Sequence, residues 1–302
     1  MRIGISISSS HPGNDPREGA RHMIERARAA ARSDLDTLFI GDHHVTPFPY
    51  FQNTPMLGRM LAEWNENPFG ALYLLPLWHP VILAEQIGTL AALAPGRFIM
   101  QCGLGDDRQG AALGVDMSRR VAMFEASLAV MRALWRGEAV SENRFWGLDD
   151  ARTSPVPSEP VEVWVGALAP AAIRRTARLA EGWLAAPSLT LAEAREAILL
   201  YREACTEFER EPTAVAIRRD ILIAEDPAAA DAAMAAYLAA GYRGINPEAL
   251  MYGSPEQVAE QVVALRDAGF TDLCVRNISA RQEEAVATIE RLAEVRSRIG
   301  DD

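Results

Sequence analysis

An aspartate and two adjacent imidazoles, Asp42, His43 and His44, follow directly on the apolar run Leu38, Phe39, Ile40 and Gly41. The chain has five histidines, so two of them together at one place draw attention first. If 37–41 is a buried strand, these polar side chains emerge where it stops, which is where barrel enzymes carry their chemistry. Three readings fit the residue types. A carboxylate with imidazoles is a ligand set for a metal, but sequence neighbours seldom point at one ion and few other histidines are left to complete a site, so no metal is expected. General acid/base catalysis by His43 or His44 suits the pKa of imidazole. The third reading is structural, with the histidines satisfied by loop backbone. No G-x-S-x-G nucleophile elbow is present.

The other strand ends offer less. Residues 103–107 (Gly103, Leu104, Gly105, Asp106, Asp107) and the pair Gly166, Ala167 would let a ligand approach backbone amides closely, as a phosphate or a flat ring requires. A lone G-x-G is a weak signal. Arg174, Arg175 and Arg178, with Arg119 and Arg120, are the local basic clusters in a chain of formal net charge -11. That balance disfavours a nucleic-acid or anionic-membrane surface, both of which need basic patches.

The elements that must position these residues can be read from periodicity. Ile3, Ile5 and Ile7 alternate as a first strand. Further strands are expected at 37–41, 71–75, 97–102, 161–165, 182–186, 214–224 and 271–276. Helices lie between them. Asp15 with Pro16 and Glu18, Thr190 with Glu193, and Ser254 with Pro255 and Gln257 are helix-start signatures. Val121, Phe124, Leu128, Met131 and Trp135 recur at helical spacing and are expected to be core. Most of the strands are apolar almost throughout, as in a parallel sheet buried on both faces. Eight such units in 302 residues predict a single (β/α)₈ barrel over 1–302, with insertions after the second strand (42–69) and before the fifth (137–160). A doubly wound open sheet is the competitor, weakened because no G-x-G-x-x-G follows the first strand.

Three scattered cysteines, Cys102, Cys205 and Cys274, give neither a disulfide framework nor a metal-spaced pair. No apolar run approaches the roughly 20 residues that cross a bilayer, and the first residues enter a strand pattern without signal-peptide architecture. A reduced, cytoplasmic protein with no membrane partner is expected.

Leu75, Pro76, Leu77, Trp78, His79, Pro80 and the residues to Gln86, then Thr89 to Leu93 and Gly96, Arg97, Phe98, resemble the signature of the bacterial-luciferase-like monooxygenases. So do Gly103, Leu104, Gly105; Leu113, Gly114, Val115; Val163, Trp164, Val165, Gly166; Ala180, Glu181, Gly182, Trp183; and 253–259. The resemblance keeps its order across nearly the whole chain. It implies a (β/α)₈ barrel holding FMN or the deazaflavin coenzyme F420 in its mouth, beside Asp42 and His43. It further implies a backbone irregularity, often a cis peptide, near Leu72, Tyr73 and Leu74 under the ring. The cofactor phosphate would lie against Gly103, Gly105, Gly166 and Ala167. Asp42 and His43 followed by Pro47 and Phe48 resemble the deazaflavin-using branch, and Arg174, Arg175 and Arg178 would neutralise that cofactor's anionic tail. The His43, His44 pair fits the FMN-using pattern. The resemblance therefore implies an F420-dependent oxidoreductase moving a hydride to or from a small organic substrate, with His43 as its proton donor or acceptor. Its alternatives are an FMN-dependent monooxygenase fed by a separate reductase, with His43 or His44 assisting oxygen chemistry, and a non-catalytic flavin-binding relative. A metal-dependent barrel hydrolase is a further alternative from the residues alone. A homodimer is also implied.

Overall fold

Strand residues here are buried on both faces, and the two faces pack against different things. Phe39, Ile99, Trp164, Ala214, Ala216 and Cys274 form one buried cluster although they come from strands far apart in the sheet. The Phe39 and Trp164 rings, for example, lie 5.5 Å apart. Side chains from non-adjacent strands can meet this way only inside a closed barrel. The alternate strand residues, including Ile3, Ile5, Leu38, Ile40, Tyr73 and Met100, join the larger cluster shared with the surrounding helices.

The computed structural model describes residues 1–13 and 15–300. Its first half runs β1 (Arg2–Ile7), α1 (Pro16–Arg32), β2 (Thr37–Ile40), α2 (Asn53–Met60), β3 (Phe69–Leu74), α3 (Pro80–Leu93), β4 (Phe98–Gly103), α4 (Asp107–Leu113), α5 (Arg120–Trp135), β5 (Val140–Glu142) and β6 (Leu148–Ala151). The second half runs β7 (Glu162–Ala167), α6 (Pro170–Leu179), β8 (Gly182–Ala185), α7 (Leu191–Glu207), β9 (Ala214–Ile223), α8 (Pro227–Ala239), β10 (Met251–Gly253), α9 (Pro255–Asp267), β11 (Asp272–Asn277) and α10 (Gln282–Ile299). Strands β1, β2, β3, β4, β7, β8, β9 and β11 pair in that order, all parallel, and β11 closes back on β1. This is the eight-stranded (β/α)₈ barrel. The insertion after β2 carries α2, and the one before β7 carries the antiparallel hairpin β5–β6.

Packing explains several choices of residue. A Cβ on Gly182 would lie 2.5 Å from the Trp164 ring, so only glycine leaves room for that indole in the barrel floor. Glu162 closes the same floor: its buried carboxylate accepts a 2.7 Å bond from Trp164 Nε1 and pairs with Arg97 at 2.8 Å. The capping boxes at Thr190–Glu193 and Ser254–Gln257 both form.

The structure departs from the sequence reading in particular places. The seven-residue α4, capped by Asp106, was not expected, nor was β10, a three-residue strand beside the last residues of β9. Val121 is 40% exposed although it shares the helix face of the buried Phe124, Leu128 and Met131, because it lies in the first turn of α5. Among the described residues the cis peptide is Ser154–Pro155. Strand β3 pairs with β4 in six consecutive steps, which leaves no cis bond at 72–74. Arg174 is spent on Glu207 and Arg178 on Glu125, ion pairs between helices of the outer layer, so these guanidiniums are already neutralised there.

Between β9 and β10 the chain makes an excursion, α8 and 240–250. A separate cluster of Leu222, Met234, Leu250 and Ile278, with Tyr237 and Tyr242 against it, seats this excursion on the C-terminal ends of β9 and β11. It therefore forms part of the barrel's mouth.

Candidate active site

A cavity of about 440 Å³ opens at the C-terminal end of the barrel, lined by Ser6 to Ser10, Gly41 to His43, Phe48, Tyr50, Leu72, Gln101, Leu184, Arg218, Arg243 and Arg276. Its size falls in the range of roughly 300–1,000 Å³ typical of small-molecule sites.

Asp42, His43 and His44 leave β2 in different directions. Asp42 is buried, and its Oδ2 accepts 2.8 Å hydrogen bonds from Leu74 N and from Trp78 Nε1. Its Oδ1 lies 3.1 Å from His44 Nε2, off the line of a hydrogen bond. The carboxylate thus ties the end of β2 to the end of β3, and this makes it a positioning group. His44 goes with it: its ring packs 5.4 Å from Trp78, away from the cavity lining, and its backbone N–H donates to Gln109 Oε1 at 2.7 Å. Gln109 is held in turn by Asp106, which accepts from both its backbone N–H and its Nε2.

His43 alone of the two imidazoles faces the cavity. Its Nε2 sits 3.0 Å from Arg108 Nη2. A guanidinium has only donors, so Nε2 must be the acceptor and the ring proton resides on Nδ1. Burial, then the Arg108 charge, lowers the His43 pKa from its ordinary value, which keeps the ring neutral near pH 7. Arg108 also donates to the carbonyls of Val45, at 2.8 Å, and His44. Val45 has a φ of 49°, a left-handed conformation costly for a β-branched residue. The arginine therefore fixes both the strained loop and the protonation state of His43. Tyr50, whose ring lies 5.6 Å from His43, has its pKa pushed up to about 12 by burial and by Asp42, so its hydroxyl stays protonated.

The opposite wall comes from β1, β9 and β11. Arg218 Nη2 lies 3.1 Å from Asp220 Oδ1 but off the line of a hydrogen bond, and Arg218 Nε has no partner. Asp220 is fully buried, accepts from Tyr242 OH at 3.0 Å and lies 3.8 Å from Arg243 Nη1. Arg276 reaches Ser8 Oγ at 3.3 Å. Gln101, 4% exposed on the inner face of β4, has no hydrogen-bond partner for its Nε2.

The remaining expected site residues divide. Leu72 lines the cavity. Tyr73 points the other way, buried against Trp78 and 3.4 Å from Thr54 Oγ1. Leu74 sits over Gly103 and Gly105, and the register sets Cys102 beside Val165, which brings Gly103 next to Gly166 at the rim. Gly103, Gly105, Gly166 and Ala167 are rim residues and do not line the cavity. Gly105 has a φ of 72°, which a side chain would strain. Gln101, Arg108, Arg218, Arg243 and Arg276 were missed. Arg218 and Arg276 carried a signal: each continues the inward-facing alternation of its strand, after Ala214 and Ala216 and after Cys274, where a charge has no place in a packed floor.

The model of the luciferase-like monooxygenases matches residues 1–250. The chain belongs to that family. Among curated relatives, an F420-dependent glucose-6-phosphate dehydrogenase of Nakamurella multipartita is 30% identical over 186 residues, 57% of this chain and 55% of that protein. The chain spans about half the length of the curated relatives it matches. Two solved structures carry the same luciferase-like fold. The oxygenating constituent of 3,6-diketocamphane monooxygenase from Pseudomonas putida, in complex with FMN, superposes with a TM-score of 0.84 at 20% identity over all of both chains. An F420-dependent secondary alcohol dehydrogenase, in complex with an F420–acetone adduct, gives 0.80 at 18% over 99% of each. Among the described residues no group of metal-ligating side chains comes together, and no helix is long and apolar enough to cross a membrane.

Proposed function

We propose that this luciferase-like barrel is an oxidoreductase that uses the deazaflavin F420 to move a hydride to or from a small organic molecule. The observation that carries the reading is His43, a single imidazole facing a substrate-sized cavity, held neutral with its proton on Nδ1. A hydride leaving or reaching an alcohol–carbonyl carbon requires a proton to move at the oxygen, and a neutral imidazole has an unprotonated nitrogen that can accept one. Ile7, Leu72, Leu184 and Phe48 supply apolar surface, and the unpartnered Gln101 amide supplies a donor inside it. Those residues fit a heteroaromatic ring bearing carbonyl acceptors. Gly103, Gly105, Gly166 and Ala167 at the rim would take the cofactor's phosphate through backbone amides. The deazaflavin itself would supply the hydride chemistry.

The Asp42–His43 order and the F420-dependent relatives support the deazaflavin over FMN. A second reading, an FMN-dependent monooxygenase served by a separate reductase, is favoured by the likeness to the FMN-bound structure. Titrating the full chain with F420 and with FMN, following each chromophore, tests the choice. Saturable F420 binding is expected; tight FMN binding with none of F420 would overturn it.

A further inference from the structure

The wall opposite His43 has a charge pattern that the redox chemistry does not need. Arg218, Arg243 and Arg276 converge on the cavity in a chain of formal net charge -11. Within that cluster one carboxylate, Asp220, lies against two of the guanidiniums, Arg218 and Arg243. Arg276 has no carboxylate partner among the described residues, only the Ser8 hydroxyl. The hydrogen-bonding of Arg218 is incomplete although its Nε and Nη2 are buried. Buried donors are normally satisfied, so these Arg218 nitrogens call for an acceptor. Across the cavity the nearly buried Gln101 amide is also without an oxygen partner.

Arg243 adds an independent sign. It sits at φ 52°, between the left-handed Gly241 and Gly244, in the segment that the excursion brings over the mouth. An arginine in a conformation that glycine adopts freely implies a use for the side chain at that point.

We propose that Arg218, Arg243 and Arg276 form an oxyanion-binding subsite, so that the substrate is a small organic anion, a phosphate ester or a carboxylate, with Asp220 as the internal counter-charge that the substrate supplements. The subsite names the substrate class of the function proposed above, and so rests on that reading for its role in turnover, though not for binding. The anion fixes one end of the substrate on β9 and β11 while the reacting carbon lies towards His43 on β2. Guanidiniums suit this task because they pair bidentately with carboxylate and phosphate.

The test uses the full chain without cofactor and reads binding alone. Calorimetric titration at low ionic strength with inorganic phosphate, and separately with acetate, should give saturable one-site binding. The tighter of the two probes tells phosphate esters from carboxylates. Arg276→Met and Arg218→Met should each weaken it roughly tenfold to a hundredfold, and Arg276→Lys should recover part of the loss. Arg136→Met, which removes an exposed guanidinium paired with Glu138, should leave it unchanged. Asp220→Asn, which removes the internal competitor, should tighten it. Binding that survives both Met variants, that falls equally in Arg136→Met, or that weakens tenfold in Asp220→Asn would overturn the proposal. Absence of saturable binding would overturn it too, even if F420 binds. Phosphate binding without F420 binding would instead sink the cofactor reading and leave the subsite standing.

Discussion

The two walls of the barrel mouth are built on different principles. On the β2–β4 side the polar groups are largely spent on one another. Asp42 Oδ2 is committed to Leu74 and Trp78, Gln109 to Asp106 and the His44 backbone, and Arg108 to His43 and two carbonyls, while Asp42 Oδ1, His44 Nε2 and Gln101 Nε2 keep no hydrogen-bond partner. On the β1, β9 and β11 side the guanidiniums outnumber their carboxylate and Arg218 keeps unused donors. A closed network fixes one group in one state, here His43 neutral with its proton on Nδ1. An open one is complete only with a ligand. On the function proposed above, the first wall would carry the chemistry and the second the recognition.

The comparison can be broken at the closed wall first. Replacing His43 by alanine should lower turnover by about 10²–10⁴, the range for losing a general acid or base, with cofactor affinity within a few fold; unchanged turnover would remove His43 from the mechanism. Asp42→Ala leaves the buried Leu74 N–H and Trp78 indole N–H without their shared acceptor. It should lower stability by about 3 kcal/mol or more, read as a fall in urea midpoint, whereas an unchanged midpoint would mean the wall is not a coupled network.

Subtler changes sharpen the contrast. In Arg108→Met the His43 pKa should rise towards its ordinary 6.5, since one of its two main depressing causes is gone. NMR titration of the ring reads this directly. With the neutral ring as the active form, the acid limb of the pH–rate profile should move to higher pH; a limb that stays put would detach Arg108 from His43. The smallest effect concerns His11, buried beside Ser8 at the end of β1, whose pKa burial and Arg26 lower from 6.5 to about 4. Between those values the unfolded chain binds the extra proton. The sign is therefore fixed: stability falls as pH drops from 6.5 towards 4, and this contribution levels off below. Denaturation midpoints in His11→Asn that keep the wild-type pH slope would contradict it.

The eight strands of the barrel were legible because a strand buried on both faces must be apolar along its length, as in the run ending at Ile40 and in 214–217. Strand β10 was not, because three residues carry no period, and α4 was not, because seven residues hold hardly two turns. The position of Asp42, His43 and His44 at a strand end was equally clear. Their division was not, since beyond Gly41 the backbone leaves the pleat and side-chain direction depends on Trp78, Gln109 and Arg108, which lie distant in sequence. Two members of the α6 basic cluster show a related dependence: whether Arg174 and Arg178 are free is set by Glu207 and Glu125 of neighbouring helices. Two of the arginines that do face the cavity, Arg218 and Arg276, lay inside strands, where alternation pointed inward; Arg243 lies in the excursion and carried no such period.

Hydride transfer rather than oxygenation is the central claim. It is tested most directly by loading the full chain with oxidised F420 and offering small alcohols, and with reduced F420 and offering carbonyl compounds, with and without an anionic group, while following the deazaflavin chromophore and dissolved oxygen together. The account predicts a chromophore change with the anionic members and no oxygen uptake. Turnover seen only with reduced FMN, and matched by oxygen consumption, would contradict it.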